Sequence, residues 1–254
     1  MAANGCTFDF TDARVLVTGG TSGIGYAIAT AFADAGAAVT ITGTRADKAA
    51  YADDPVDLDR FEFVQCNTRD HDAIDALIAR YESIDVLVNN AGASNAFGDE
   101  STPDGFTGTL DANLNGAMRL TFGLHDALAA STLAGGSSVI NIISMSAFRS
   151  ATSVMGYAAS KAGLITLTNN LAIRWMDDGI RVNAVAPGLI LSRMTAALEL
   201  PGLEEIKARE FARVPAGRWG TPEECAWSTL FLCTAQSAYT TGTVLAVDGG
   251  YLAF

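Results

Sequence analysis

The chain has 254 residues, is 49% apolar and carries a formal net charge of −12. This is enough for one large α/β domain with a substantial core, and its acidity excludes nucleic-acid backbones and gives anionic membranes no attraction for it. No basic, apolar leader or membrane-length apolar run is visible, and the scattered Cys6, Cys66, Cys225 and Cys233 point away from a disulfide framework and toward a reducing, cytoplasmic setting.

The first predicted strand, Ala13–Thr18, runs into Thr18-Gly-Gly-Thr-Ser-Gly-Ile-Gly25. Ile24, Ala27, Ile28, Ala31, Phe32 and Ala35 follow at helical spacing, predicting a helix over 24–35. Such a strand, glycine turn and helix let a ligand approach the backbone and point free N–H groups at it, which suits a phosphate. An ordinary glycine-rich turn is the plainer alternative. Further strands are expected at Ala38–Thr42, Phe61–Cys66, Asp85–Asn89, Ser138–Ile143, Arg181–Ala186 and Val244–Val247. Helices are expected near 70–81, 106–130, 156–177 and 222–234. Alternating strands and helices predict a parallel sheet covered on both faces. Gly19, Asn89, Ser144 and Pro187 all fall at the carboxyl ends of strands, where such sheets bind ligands.

In Tyr157-Ala-Ala-Ser-Lys161 a phenol and an ammonium lie four residues apart. On a helix this puts them on one face, about 5–6 Å apart at Cβ. A nearby cation favours the phenolate, so the pair predicts a tyrosine of lowered pKa able to exchange a proton with an alcohol or carbonyl oxygen. The pair alone is a weak motif.

Together with Thr18-Gly19-x-x-x-Gly23-x-Gly25, Asn89-Asn90-Ala91-Gly92, Ser144 and Pro187-Gly188, it resembles the short-chain dehydrogenase/reductase family over about residues 12–250. The resemblance implies an α/β, Rossmann-type doubly wound, mainly parallel seven-stranded sheet with helices on both faces. It also implies one NAD(P)-binding domain over 1–254, with substrate loops near 93–97, 145–155 and 189–215, that interconverts a ketone and a secondary alcohol by hydride transfer. Catalytic roles map to Asn113, which would hold a relay water, Ser144, Tyr157 and Lys161. Ser146 and Asn115 are nearby competitors.

Cofactor contacts map to Gly19, Thr21, Ser22, Gly23, Ile24 and Gly25 in the loop, and to Asn90, Ala91 and Gly92 beside the ribose. Tyr157 and Lys161 face the nicotinamide ribose, and Pro187, Gly188, Ile190 and Ser192 lie over the nicotinamide. Asn67, with Thr68 beside it, stands where an adenine-holding aspartate is usual; a turn asparagine is the simpler reading. Gly43 occupies the place of the acid that would bond the ribose 2′-hydroxyl of NAD, and Thr44 and Arg45 follow. NADP is therefore favoured over NAD, although Arg45 could equally be a solvated residue.

Phe97, Met145, Phe148, Met155, Leu189 and Met194 suggest an apolar substrate lining, with Arg149, Arg193, Arg209 and Arg213 as nearby cations. The expected partner is a small, mostly apolar ketone or secondary alcohol. A 3-oxoacyl thioester reductase and a non-catalytic or non-redox dinucleotide-binding relative are the alternatives. His71 and His125 have no metal-ligand spacing, so no metal is expected. A homotetramer or homodimer is expected, using Leu164, Leu167, Leu171 and Trp175 and the apolar tail 247–254.

Overall fold

The computed structural model describes residues 5–94, 98–149, 152–192, 195–200 and 202–253, without the side chains of 197 and 198. Its strands are β1 (Arg14–Val17), β2 (Ala38–Gly43), β3 (Glu62–Gln65), β4 (Val86–Asn89), β5 (Ser137–Ile142), β6 (Ile180–Pro187) and β7 (Val244–Val247). They form one sheet in the order β3-β2-β1-β4-β5-β6-β7, every neighbouring pair parallel. All seven expected strands are present, with ends within a residue or so of the sequence reading.

The helices are α1 (Gly23–Asp34), α2 (His71–Ile78), α3 (Pro103–Leu110), α4 (Gly116–Gly123), α5 (His125–Ala129), α6 (Met155–Arg174), α7 (Glu204–Phe211) and α8 (Pro222–Cys233). Strand alternation distributes the core between the two faces. Val15 and Val17 of β1 join α1 and α8 on one face, while Leu16 between them joins α2, α4 and α6 on the other. Phe32, Ile28, Leu87 and Leu120 are fully buried, each contributing about 1.5–3 kcal/mol of transfer free energy.

The expected helix over 106–130 is three helices. It starts earlier, at Pro103, because Thr102 accepts from the Gly105 N–H and proline suits the first helical position. A π-helical turn at Asp111–Asn115 then widens it. Within the expected loop over 189–215 the structure adds a 3₁₀ turn at Ala196–Glu199 and α7. That segment lacks an apolar stripe, but Glu204 and Glu205 at its start and Arg209 near its end match the helix dipole. No helix among the described residues is long and apolar enough to cross a membrane.

Candidate active site

The glycine loop sits where β1 ends. Gly19 and Gly23 have φ of +64° and +54°, in the left-handed region open to glycine. Asn90 Nδ2 donates to the carbonyls of Thr18 and Gly19 at 3.0 and 3.1 Å, and the Thr18 hydroxyl accepts from the N–H groups of Asn90 and Ala91, each at 3.0 Å. Asn90 and Ala91 thus brace the loop from the end of β4. A side chain at Gly25 would strike Asn90 and the Gly19 carbonyl, so the turn and α1 close only on glycine there.

Ser22, the residue before α1, makes no capping bond through its side chain, and the first turn holds no acid. Among the described residues only Ser192 Cβ, 3.7 Å away, lies near the place a Cβ on Gly23 would occupy. An open backbone and a positive helix end without a carboxylate fit the pyrophosphate of a dinucleotide. Thr21 is buried and Ile24 packs on the core, so these two shape the loop through their backbone.

At the end of β2, a Cβ on Gly43 would collide with Tyr51 Oη and come within 2.8 Å of Thr21 Cγ2. Packing alone therefore keeps an acid out of this position. Arg45 stacks over the Tyr51 ring at 4.4 Å, donates to the Ala50 carbonyl at 2.5 Å and pairs with Asp54 at 3.1 Å. It is neither free nor merely solvated. Thr44 is exposed beside it, its carbonyl accepting from Gln65 at 3.2 Å.

Asn67 Oδ1 accepts from the Arg69 N–H at 3.1 Å, the turn bond of the simpler reading, yet the residue is exposed on a cavity of about 510 Å³. The Thr68 hydroxyl donates to the Ala112 carbonyl at 2.9 Å and so ties the end of β3 to the π turn.

Beyond β5, the Ser144 hydroxyl faces the Tyr157 phenol. It also accepts from the Ser146 N–H at 3.1 Å and donates to Ser146 Oγ at 3.3 Å, so Ser146 supports Ser144. One turn after Tyr157, Lys161 is buried and donates to the Ile142 carbonyl at 2.8 Å. Burial pushes its pKa down to about 8.

The expected lowering of the Tyr157 pKa is overturned. The phenol stands above its ordinary value because burial disfavours the phenolate, with the nearby Ser144 hydroxyl opposing and the Glu100 charge adding to the rise. Lys161 Nζ is 5.5 Å from the ring centroid. It shares the dry surroundings that disfavour its own charge, so it does not reverse the effect.

Asn113 is fully buried in the π turn, where such turns frequently mark functional sites. Its Oδ1 accepts from the Ala93 N–H and its Nδ2 donates to the Ala93 carbonyl, both at 2.8 Å. A Cβ on Gly92 would lie 3.0 Å from Asn113 Oδ1 and 3.3 Å from Lys161 Nζ, so these three converge. Asn115 instead bonds Asp111 at 2.7 Å on the exposed side.

Pro187 ends β6, and the Gly188 N–H donates to the Val247 carbonyl at 2.9 Å. Ile190 is buried, with its N–H on the Gly188 carbonyl and its own carbonyl accepting from the Thr195 hydroxyl at 2.7 Å. The Ser192 N–H donates to that hydroxyl at 2.9 Å.

Phe148 and Met155 expose large apolar surface, whereas Leu189 packs with Val214 and Tyr251, and Met145 leans on that cluster. Arg213 donates to Tyr251 Oη at 3.2 Å, Arg149 lies 5.7 Å from that ring, and Arg209 pairs with Glu210. Phe97, Arg193 and Met194 lie outside the described residues. Among the described residues no group of three or more His, Cys, Asp or Glu is arranged to hold a metal.

The sequence reading missed Glu100. This carboxylate is buried, and its Oε2 accepts from the Tyr157 N–H at 2.8 Å.

Comparison with known proteins agrees with this geometry. A family model described as enoyl-(acyl carrier protein) reductase matches residues 19–252. The 3-oxoacyl-[acyl-carrier-protein] reductase of Chlamydia muridarum is 36% identical, over 92% of this chain and 95% of its own. The 2-dehydro-3-deoxy-D-gluconate 5-dehydrogenase of Pseudoalteromonas atlantica is also 36% identical, over 93% and 94%. A Beutenbergia cavernae structure with NADP bound at low occupancy superposes with a TM-score of 0.85 at 35% identity, covering 98% of this chain and all of the other. The chain belongs to the short-chain dehydrogenase/reductase family. It is an NAD(P)-dependent oxidoreductase acting on CH–OH and C=O groups.

Proposed function

We propose that the enzyme is an NADP-dependent reductase of a mostly apolar ketone, with Tyr157 as proton donor. The observation that carries this reading is the convergence of the Ser144 hydroxyl and the Tyr157 phenol beside the buried Lys161. A phenol held above its ordinary pKa is fully protonated near neutrality, which suits donation to a carbonyl oxygen better than removal of an alcohol proton.

The open glycine loop, Ser192, Thr44 and Arg45, and the braced segment Asn90–Gly92 are the residues that hold the dinucleotide, with Asn67 and Thr68 near the adenine and Pro187, Gly188 and Ile190 at the nicotinamide. When bound, the nicotinamide supplies the hydride. Ser144 bonds the substrate oxygen and steadies its developing charge, and Tyr157 delivers the proton. Lys161 orients the nicotinamide ribose. Asn113 spends both side-chain polar atoms on Ala93 and shapes the floor beside Lys161. Phe148 and Met155 provide the apolar lining.

A 3-oxoacyl thioester reductase is the second reading, favoured by the Chlamydia relative. The net charge of −12 disfavours docking of an acidic carrier protein. The retained glycine loop, Tyr157 and Lys161 speak against a non-redox relative.

We place the enzyme in a reducing, cytoplasmic compartment, as one domain and as a homotetramer or homodimer. The interface expected from Leu164, Leu171 and Trp175 is corrected, because these side chains are buried in the protein's own core and Leu167 packs against it. Phe122, Ile173, Trp227 and Phe231 supply the exposed apolar surface instead.

Fluorescence titration with NADPH and NADH, followed by a panel of apolar ketones, hydroxy acids and 3-oxoacyl thioesters, tests the reading. Tighter NADPH binding and turnover of apolar ketones support it. Tighter NADH binding, or turnover confined to small charged substrates, overturns it.

A further inference from the structure

Three helices carry a polar cap on the residue just before them. Asp70 accepts from two N–H groups of α2, Thr102 caps α3, and Thr221 with Glu224 forms a capping box on α8. Helix α6, which carries Tyr157 and Lys161, begins after Val154, whose side chain has no polar atom. The first N–H groups of a helix need partners from elsewhere. Tyr157 finds one 57 positions earlier in the chain, where Glu100 Oε2 accepts from its N–H at 2.8 Å.

Glu100 is 1% exposed. Withdrawing a carboxylate from water costs several kcal/mol even after relaxation, so a stabilising arrangement must hold it there. The positive end of α6 provides part of it. The packing is built around the contact. A Cβ on Gly156 would lie 3.3 Å from Glu100 Oε2, 3.2 Å from Thr109 Cβ and 3.3 Å from Phe106 Cα. Glycine at this position lets α3, α6 and the carboxylate meet closely.

We propose that Glu100 is the positioning residue of the proton donor: its buried carboxylate caps α6 across the chain and fixes the Tyr157 backbone so that the phenol keeps its place beside Ser144 and Lys161. The proposal deepens the reading of Tyr157 as the acid and rests on it. A second consequence is electrostatic. The phenol is faced by Lys161 from α6, by the Ser144 hydroxyl from the turn after β5, and by Glu100 from the approach to α3. The Glu100 charge works against the phenolate and so keeps the proton on the donor.

Glu100→Gln keeps the size and the hydrogen-bond acceptor but removes the charge. Glu100→Ala removes both. The first readout needs no substrate: the phenolate difference spectrum, taken as each protein minus its Tyr157→Phe counterpart, titrates this one tyrosine. Glu100→Gln is expected to lower its apparent pKa by at least about half a unit, to move the alkaline limb of kcat for ketone reduction by the same amount, and to leave NADPH affinity within twofold. Glu100→Ala is expected to lose at least about tenfold in kcat through misplacement of the phenol, again with NADPH bound normally.

Unchanged titration and pH profile in Glu100→Gln, or undiminished kcat in Glu100→Ala, overturns the proposal. If Glu100→Ala does not fold, the near-isosteric glutamine variant decides alone. The Tyr157→Phe protein separates the two ideas. Near-normal turnover by it defeats the acid reading itself, whereas an inactive Tyr157→Phe beside wild-type behaviour at both Glu100 variants defeats only the role of Glu100.

Discussion

Lys161 and Arg181 are both cations withdrawn from water, 3% and 1% exposed, and each lies close to the central strands. Their surroundings differ sharply. Arg181, near the start of β6, meets an acceptor at every nitrogen: the carbonyls of Gly135, Leu232, Thr234, Ser237 and Thr240 and the hydroxyls of Ser138 and Ser237, at 2.7–3.5 Å. Leu232 lies at the end of α8, where the helix dipole is negative and favours a cation. Lys161, beyond the other end of the sheet, has the Ile142 carbonyl as its acceptor, and burial lowers its pKa to about 8. A buried charge with every donor engaged pins chain segments together. One with donors to spare, held beside Gly92 and Tyr157, is poised for something that has yet to bind.

The contrast makes different predictions for the two ends. Arg181→Met leaves several carbonyls without a donor and should cost at least about 3 kcal/mol, since each orphaned buried acceptor costs about 1–3 kcal/mol. Urea unfolding checks this, and the protein that remains folded should still bind NADPH. An unchanged unfolding midpoint would remove Arg181 from its structural role.

At the site end the signature is pH dependence. The native lysine titrates near 8 and its unfolded counterpart near the ordinary 10.5. Between these values the unfolded chain binds the extra proton, so stability rises with pH across that window. Relative to Lys161→Met, the wild type should gain up to about 3 kcal/mol from pH 8 to 10.5. Chemical unfolding of both proteins across the window measures it, and parallel curves would contradict the buried, weakly satisfied ammonium.

A smaller effect is expected where a third cation is only partly engaged. Arg45 is held by Tyr51, Ala50 and Asp54 at the edge of the proposed 2′-phosphate site. Asp54→Asn should release its charge and tighten NADPH by about two- to fivefold, the range open to a half-exposed ion pair, with NADH unchanged. Equal changes for both cofactors would remove Arg45 from the phosphate site.

Much of this was legible in the sequence because it is local. The strands read clearly because β4, β5 and β6 are buried on both faces and each carries an apolar run, Val86–Val88, Val139–Ile140 and Ala184–Ala186. Ser144, Tyr157 and Lys161 were readable from spacing, and the structure brings them together. What sequence hid depends on distant segments. Glu100 sits between Asp99 and Ser101 and reads as one more solvated acid, and nothing local says that it reaches Tyr157. Arg181 reads as the polar lead-in to a strand. The direction of the Tyr157 shift was misread because a neighbouring lysine is visible in sequence and burial is not. The leucines of α6 look spare until the core that takes them is assembled.

The most direct test of the central claim is turnover by Tyr157→Phe at saturating NADPH and an accepted ketone, with NADPH affinity measured alongside. The account predicts a loss of about 10²–10⁴-fold in kcat, typical of removing a general acid, with NADPH bound as tightly as before. Near-normal turnover with intact NADPH binding would contradict it and move the proton donor to another group.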